Sequence, residues 1–163
     1  MVDLGASRWL VRHHELVVEA MQGLAARIRD ELGLAFDDQL ALLGAALHDA
    51  GKIVHVDEMS GPGHQHERAG ERLLVSHGIP GEVARFCVTH AAWDDDERDV
   101  EDLLVALADK LWKGKREEGL ERRAAALIAQ LTRREPWEVF ARFDAICEAI
   151  AADGPARLER SWT

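Results

Sequence analysis

The chain has 163 residues, of which 47% are apolar and 31% are charged. This composition is typical of one globular domain and is too apolar for a disordered chain. There are 30 acidic and 20 basic residues, so the formal net charge is -10. An acidic surface repels phosphate backbones, which excludes non-specific nucleic-acid binding as an expected function. Two cysteines, Cys87 and Cys147, are too few for a disulfide framework or a cysteine-based zinc site.

The first residues of the chain lack a basic region followed by an apolar core, so we expect no signal peptide. No apolar run approaches the roughly 20 residues that are needed to cross a bilayer. We therefore expect a cytoplasmic protein in a reducing compartment, with no membrane partner. The chain contains eight histidines and no tyrosine, which directs attention to imidazole chemistry.

The first half of the chain has helical patterns. Apolar residues recur at spacings of three, four and seven between about residues 9 and 32, which predicts one face of a helix. Ser7 is a suitable N-cap for it and Gly33 a suitable terminator. A second helix is predicted to end at His48, and the glycine- and proline-containing segment 52–63 is predicted to be a loop.

The second half of the chain continues in the same way. Helices are predicted at about 64–76, 81–91, 99–117, 120–132 and 136–151. No segment shows the sustained period-two alternation of a strand. The sequence therefore predicts an all-α fold, with residues 1–163 forming a single domain of about six to eight helices.

His48 and Asp49 are adjacent at the end of an apolar run that should be buried. A polar pair at such a point is partly buried and needs partners. Neutral imidazole and carboxylate are ligands for divalent metals, and adjacent residues can reach one ion. Taken alone, the pair is explained at least as well by a simple helix cap.

Other polar residues occupy similar positions, where an apolar helix meets a polar side chain. These are His13, His66, His90 and Asp109. One such histidine is usually a core residue with a satisfied hydrogen bond. Several in one small all-α domain favour a shared site.

The order of these residues resembles the HD superfamily of metal-dependent phosphohydrolases. Residues 47–53, Leu-His-Asp-Ala-Gly-Lys-Ile, resemble its central motif, and residues 13–18 and 106–111 resemble its first helix and its last motif. The resemblance covers about residues 9–117 as the HD core. The helices at about 120–152 would either cover this core or form the interface of a homodimer.

The resemblance implies a six-residue ligand set for one or two divalent transition-metal ions, of manganese, iron, cobalt, nickel or zinc. One ion would be held by His13, His48, Asp49 and Asp109, and the second by His66, His90 and a bridging Asp49. His14 and His64 are the competitors of His13 and His66; the spacing to Val17 and to Gly70 favours His13 and His66. No GYP motif is present, which argues against cyclic-dinucleotide hydrolysis.

Basic residues follow two of the proposed ligands. Lys52 comes three positions after Asp49, and Lys110, Lys113, Lys115 and Arg116 cluster beside and after Asp109. In an acidic chain such a cluster is typical of an anion site, although a helix C-terminus favours cations equally well. We expect Lys52 to contact a phosphate oxygen and act with Asp49 in catalysis. Lys113, Lys115 and Arg116 are the other candidate substrate-binding residues.

The expected function is hydrolysis of a small phosphorylated metabolite or nucleotide. Two divalent ions lower the pKa of a shared water and offset charge on phosphoryl oxygens. Two alternatives remain: an HD-type mixed-valent di-iron oxygenase, which uses the same ligand types, and a metal-stabilised regulatory module without turnover.

Overall fold

The computed structural model describes residues 1–59 and 61–162, and in this part of the chain the regular secondary structure is helical with no strand. The helices are α1 (Arg8–Arg27), α2 (Asp38–Leu47), α3 (Gln65–Ser76), α4 (Gly81–Ala84), α5 (Phe86–Thr89), α6 (Val100–Leu111), α7 (Glu118–Thr132), α8 (Pro136–Ala152) and α9 (Gly154–Ser161). Seven of the nine described helices have eight residues or more. The all-α prediction is confirmed.

Helix α1 begins and ends where the sequence predicted. The Ser7 side chain accepts a hydrogen bond from the Leu10 amide at 3.2 Å, as an N-cap does. The helix continues as one π-helical segment, Ile28–Leu32, and stops at Gly33 with a φ of 68°. Glycine adopts this left-handed conformation without the steric cost that a Cβ would impose.

Helix α6 lies at the centre of the molecule. It packs against α1, α2 and α7, and its residues 102–109 are buried. The prediction that this helix extends to about residue 117 is wrong. It ends at Leu111 because the chain turns away at Gly114, whose φ is 78°.

Two elements of the structure differ in detail from the sequence prediction. The segment 52–63 was expected to be a loop, but it overlaps two 3-10 turns, Ala50–Ile53 and Val56–Met59. The helix expected at 81–91 is two short helices, α4 and α5, which meet at Arg85. The Arg85 carbonyl accepts from the Val88 amide at 2.9 Å, and this i to i+3 bond tightens the chain there.

The C-terminal helices pack on the rest of the bundle. Helix α7 contacts α6 and α8, and α8 also contacts α1. Ile128, Val139, Phe143 and Ile146 are buried in the main core, whereas Leu131 and Phe140 remain exposed. Helix α9, which the sequence analysis did not predict, contacts α1 and α8. No helix in the described ranges has the length and apolar character needed to span a membrane.

Candidate metal centre

Six buried side chains from five parts of the fold converge at one point. His13 comes from α1, His48 and Asp49 from the end of α2 and the residue after it, His66 from α3, His90 from the end of α5, and Asp109 from α6. Each of these residues is at most 7% exposed. Residues separated by almost a hundred positions therefore share one small volume.

One group of donor atoms is formed by His13, His48 and Asp49, whose atoms all lie within 4.8 Å of one another. His13 Nε2 is 3.4 Å from His48 Nε2 and 3.2 Å from Asp49 Oδ2. Asp109 approaches from α6, with its Oδ1 3.6 Å from His48 Nε2 and 3.9 Å from His13 Nε2. These are the four residues that the resemblance assigns to the first ion.

A second group is formed by Asp49, His66 and His90, again within 4.8 Å of one another. Asp49 Oδ1 lies 3.2 Å from His66 Nε2 and 3.7 Å from His90 Nε2. Asp49 therefore presents Oδ2 to the first group and Oδ1 to the second. This is the arrangement that a bridging carboxylate requires.

The ring orientations of two histidines fit metal binding. His48 Nδ1 lies 3.0 Å from the Ala45 carbonyl, and His90 Nδ1 lies 2.8 Å from the Phe86 carbonyl. A carbonyl oxygen only accepts, so each Nδ1 donates to it and each Nε2 is directed toward the donor groups. Metal-binding histidines are held in this way, with one ring nitrogen fixed by an acceptor behind it.

Glu58 provides the same support to His66. Its Oε2 lies 2.6 Å from His66 Nδ1 and also accepts from the His66 amide, while Oε1 accepts from the Gln65 amide. Burial disfavours the charged form of Glu58, but these hydrogen bonds outweigh it and lower its pKa to about 2. Asp49 Oδ1, which faces His66 Nε2, is buried without any hydrogen-bond partner. A cation between these atoms would satisfy it, so the residues present fit a metal ion.

Burial and charge set the protonation states. Burial lowers the pKa of His13, against the opposing effect of Asp49, and lowers that of His90 to about 4. Both rings are therefore neutral near pH 7, as ligands must be. Burial acts to raise the pKa of Asp49, but the imidazoles around it outweigh this and hold it well below its usual range.

The two competitors predicted from the sequence have other contacts. His14 Nδ1 lies 2.8 Å from the Leu10 carbonyl, and its Nε2 accepts from the Asp49 amide at 3.3 Å. Both nitrogens of His14 are thus in use, and it supports the Asp49 backbone. The His64 side chain is 90% exposed and pairs with Glu67. The geometry favours His13 and His66.

Two glycines bring His66 close to Asp49. A Cβ on Gly51 would lie 1.7 Å from the His66 carbonyl oxygen, and one on Gly70 would lie 2.7 Å from the Gly51 amide nitrogen. Side chains at either position would push the turn after Asp49 away from α3. This explains why glycines stand two residues after Asp49 and four after His66.

A cleft of about 460 Å³ opens onto these residues, and three lysines line it. Lys52 Nζ donates to Asp49 Oδ2 at 2.6 Å. Lys110 Nζ donates to Asp109 Oδ2 at 2.9 Å, and Lys113 Nζ lies 3.9 Å from Asp109 Oδ1. Burial lowers the pKa of Lys113, an effect that Asp109 opposes.

The structure does not bring two of the predicted substrate-binding residues to the cleft. Lys115 is exposed and does not line it. Arg116 makes paired hydrogen bonds to Glu121, at 2.7 and 2.6 Å, and a third to Asp144 at 2.6 Å. Arg116 thereby links α7 to α8, which is a structural role.

Some residues at the site were missed by the sequence analysis. Glu58 supports His66 from a segment that was expected to be a loop, eight residues earlier and with no periodic signal. Trp9, Leu158 and Trp162 line the cleft from the first turn of α1 and from α9 and its C-cap. A helical pattern after residue 153, with Pro155 in its first turn, was the one available signal for α9.

The family model described as the HD domain matches residues 18–114, which is more than half of the chain. The chain therefore belongs to the HD-domain family, which is part of a superfamily of metal-dependent hydrolases. No curated protein and no solved structure matches the chain significantly. The matched segment contains His48, Asp49, His66, His90 and Asp109, whereas His13 precedes it.

Proposed function

We propose that the protein is a metal-dependent phosphohydrolase that releases orthophosphate from a small phosphorylated metabolite or nucleotide. The observation that carries this proposal is that one cleft is lined both by five of the six buried donors, all except His48, and by Lys52, Lys110 and Lys113. In a chain of net charge -10, this local concentration of cations favours an anionic ligand beside a metal centre.

The donor residues divide into two sets in this proposal. His13, His48, Asp49 and Asp109 would hold one divalent ion, and His66, His90 and Asp49 a second. Bound divalent ions supply an activated water and positive charge at phosphoryl oxygens. In the hydrolysis, the water oxygen bonds to phosphorus while the ester P–O bond breaks, and the alcohol leaves with a proton.

The chain's own cations have a separate role. Lys52 lies on the cleft and holds Asp49 Oδ2, so it orients that carboxylate and can turn to a phosphoryl oxygen. The Lys52 side chain is only 16% exposed, so water screens its charge less than it would at the surface. Lys110 and Lys113 add positive charge beside Asp109.

The test is phosphate release from a panel of phosphate monoesters by protein that has been stripped of metal and then supplied with manganese, cobalt or nickel. We expect release only with metal. Lys52→Ala should keep the metal content but lower turnover on the order of 10²–10³-fold, as loss of an oxyanion donor does. Lys115→Ala is the matched control, because Lys115 is exposed and away from the cleft. Equal rates for the two variants would remove Lys52 from the mechanism.

A further inference from the structure

The cleft has an apolar side as well as a charged one. Trp9, Leu158 and Trp162 line it together with the metal-site residues and the lysines. The exposed fractions of Trp9 and Trp162 are 36% and 78%. Two exposed indole rings therefore border the cleft that also holds the lysines and the metal-site residues.

Trp9 has a fixed orientation next to a proposed metal ligand. Its ring stacks on the His13 ring with a centroid distance of 5.8 Å and an interplanar angle of 7°. The N-cap hydrogen bond of Ser7 anchors the first turn of α1, in which Trp9 lies. This stacking on a buried ring stabilises one orientation of the indole.

Helix α9 is held firmly enough to position Trp162. Arg157 is 3% exposed, and it donates to the Ile150 carbonyl at 2.8 Å and to Glu19 at 3.1 Å. Arg160 donates to both carboxylate oxygens of Glu19, at 2.8 and 2.9 Å. These bonds attach α9 to α1 and to the end of α8, and Trp162 is the C-cap of α9.

The two tryptophans also line a neighbouring cleft of about 610 Å³, beside Arg12 and Val11. The two clefts therefore adjoin at these rings, and the larger one offers space beside them for an organic group attached to a phosphate. Both tryptophans lie outside residues 18–114, the part of the chain that the family model matches, so the match itself does not account for the aromatic wall.

We propose that Trp9 and Trp162 form a stacking face for a flat ring, so that the substrate of this site is a phosphate monoester whose organic part carries an aromatic or heteroaromatic ring. This inference rests on the proposed phosphohydrolase function. The phosphate lies at the lysines and the metal donors, and the ring lies against the indoles. Stacking on exposed aromatic side chains gives affinity to any flat π system.

The experiment compares two non-hydrolysable phosphonates on the manganese-loaded full chain by isothermal titration calorimetry. Phenylphosphonate and methylphosphonate share the anionic group and differ in the ring. We expect phenylphosphonate to bind on the order of tenfold more tightly, as stacking on an indole predicts. Trp162→Ala should remove most of this preference and leave methylphosphonate affinity unchanged.

The matched control is Trp137→Ala, because Trp137 is 72% exposed on α8 and does not line the metal-site cleft. It should keep the full preference for the phenyl group. Trp9→Leu is the second variant, and it should reduce the preference as well. If the wild-type protein binds the two phosphonates equally well, the stacking face is overturned and the hydrolase proposal stands. The same holds if the Trp137 and Trp162 variants lose the preference for the phenyl group to the same extent. Absence of metal-dependent binding of either phosphonate overturns both.

Discussion

Asp49 is the residue on which the two halves of the site depend, because one oxygen faces each group of histidines. Asp49→Ala removes a donor from both groups, so we expect the bound metal to fall at both positions. Metal content per chain, measured by plasma mass spectrometry after dialysis, checks this. Asp30→Ala, at an exposed aspartate in the middle of the π-helical segment, should keep the wild-type content. A variant of Asp49 that retains two ions and turnover would contradict the bridging role.

Glu58 positions His66 without lining the donor groups itself. Glu58→Gln weakens the acceptor behind His66 Nδ1 and makes the ring less basic, so affinity at the second position should fall about 10–100-fold. Chelator competition on the metal-loaded protein measures this, and the first position should be unchanged. Glu82→Gln is the control, because Glu82 is exposed on α4 and does not line the cleft. If the two variants bind metal at the second position with equal affinity, Glu58 does not tune His66 and has only a structural role.

For individual residues, the sequence predicted the candidate ligands best where they lie in short local motifs. His48 and Asp49 are adjacent, and the glycine that follows is required by backbone contact with α3. Glu58 does not belong to a short motif of this kind. It contacts His66 only because the segment between the two residues folds back. Lys115 and Arg116 were grouped with Lys113 by sequence proximity, but the turn at Gly114 directs them elsewhere.

The contact between α3 and the 3-10 turn Ala50–Ile53 places the second histidine group. A Cβ on Gly51 meets backbone atoms of His66 and Gly70, which cannot move aside as a side chain can. Gly51→Ala should therefore lower the free energy of unfolding by about 2 kcal/mol, within the range for overpacking. Urea unfolding measures this. Gly81→Ala, where a Cβ meets nothing within 4 Å, should change it far less; similar losses would argue against this contact.

The attachment of α9 to α1 depends on Glu19. The hydrogen bond from Arg160, helped by Arg157 and opposed by burial, lowers the pKa of Glu19 in the folded protein. A lowered pKa stabilises the fold above the unfolded pKa, and this contribution is lost as pH falls through the folded pKa. Glu19→Gln should cost about 0.5 kcal/mol at pH 7, since Glu19 is partly exposed. The difference in unfolding free energy between this variant and the wild type should shrink on acidification, as urea titrations at several pH values would show. A difference that stays constant with pH would contradict a stabilising ion pair between Glu19 and α9.

Most helices could be predicted because their apolar stripes and caps are local, as Ser7 and Gly33 show. Helix ends were less predictable where a turn interrupts a pattern that continues in sequence, as after Leu111. Helix α9 has only eight residues, and it is fixed by Arg157 and Glu19, which are 138 positions apart. Such long-range pairs leave no periodic trace in the sequence.

The whole molecule combines an acidic surface with a cleft in which cations and metal donors are concentrated. The net charge of -10 disfavours polyanions in general, whereas the three lysines concentrate positive charge at the cleft. This local charge fits the small phosphate that we propose as the substrate. The sequence predicted this pairing of charge and ligands, and it did not predict the two tryptophans from the chain ends that complete the cleft. Their positions depend on how α1 and α9 pack together.

The most direct measurement of the central claim is orthophosphate release from phenyl phosphate by metal-stripped protein, before and after addition of manganese, beside the Asp49→Ala variant. The account predicts release that requires both the metal and Asp49. Release by the Asp49 variant at the wild-type rate would contradict the mechanism. Two tightly bound irons, with oxygen consumption and no phosphate release from any monoester, would contradict the hydrolytic function itself.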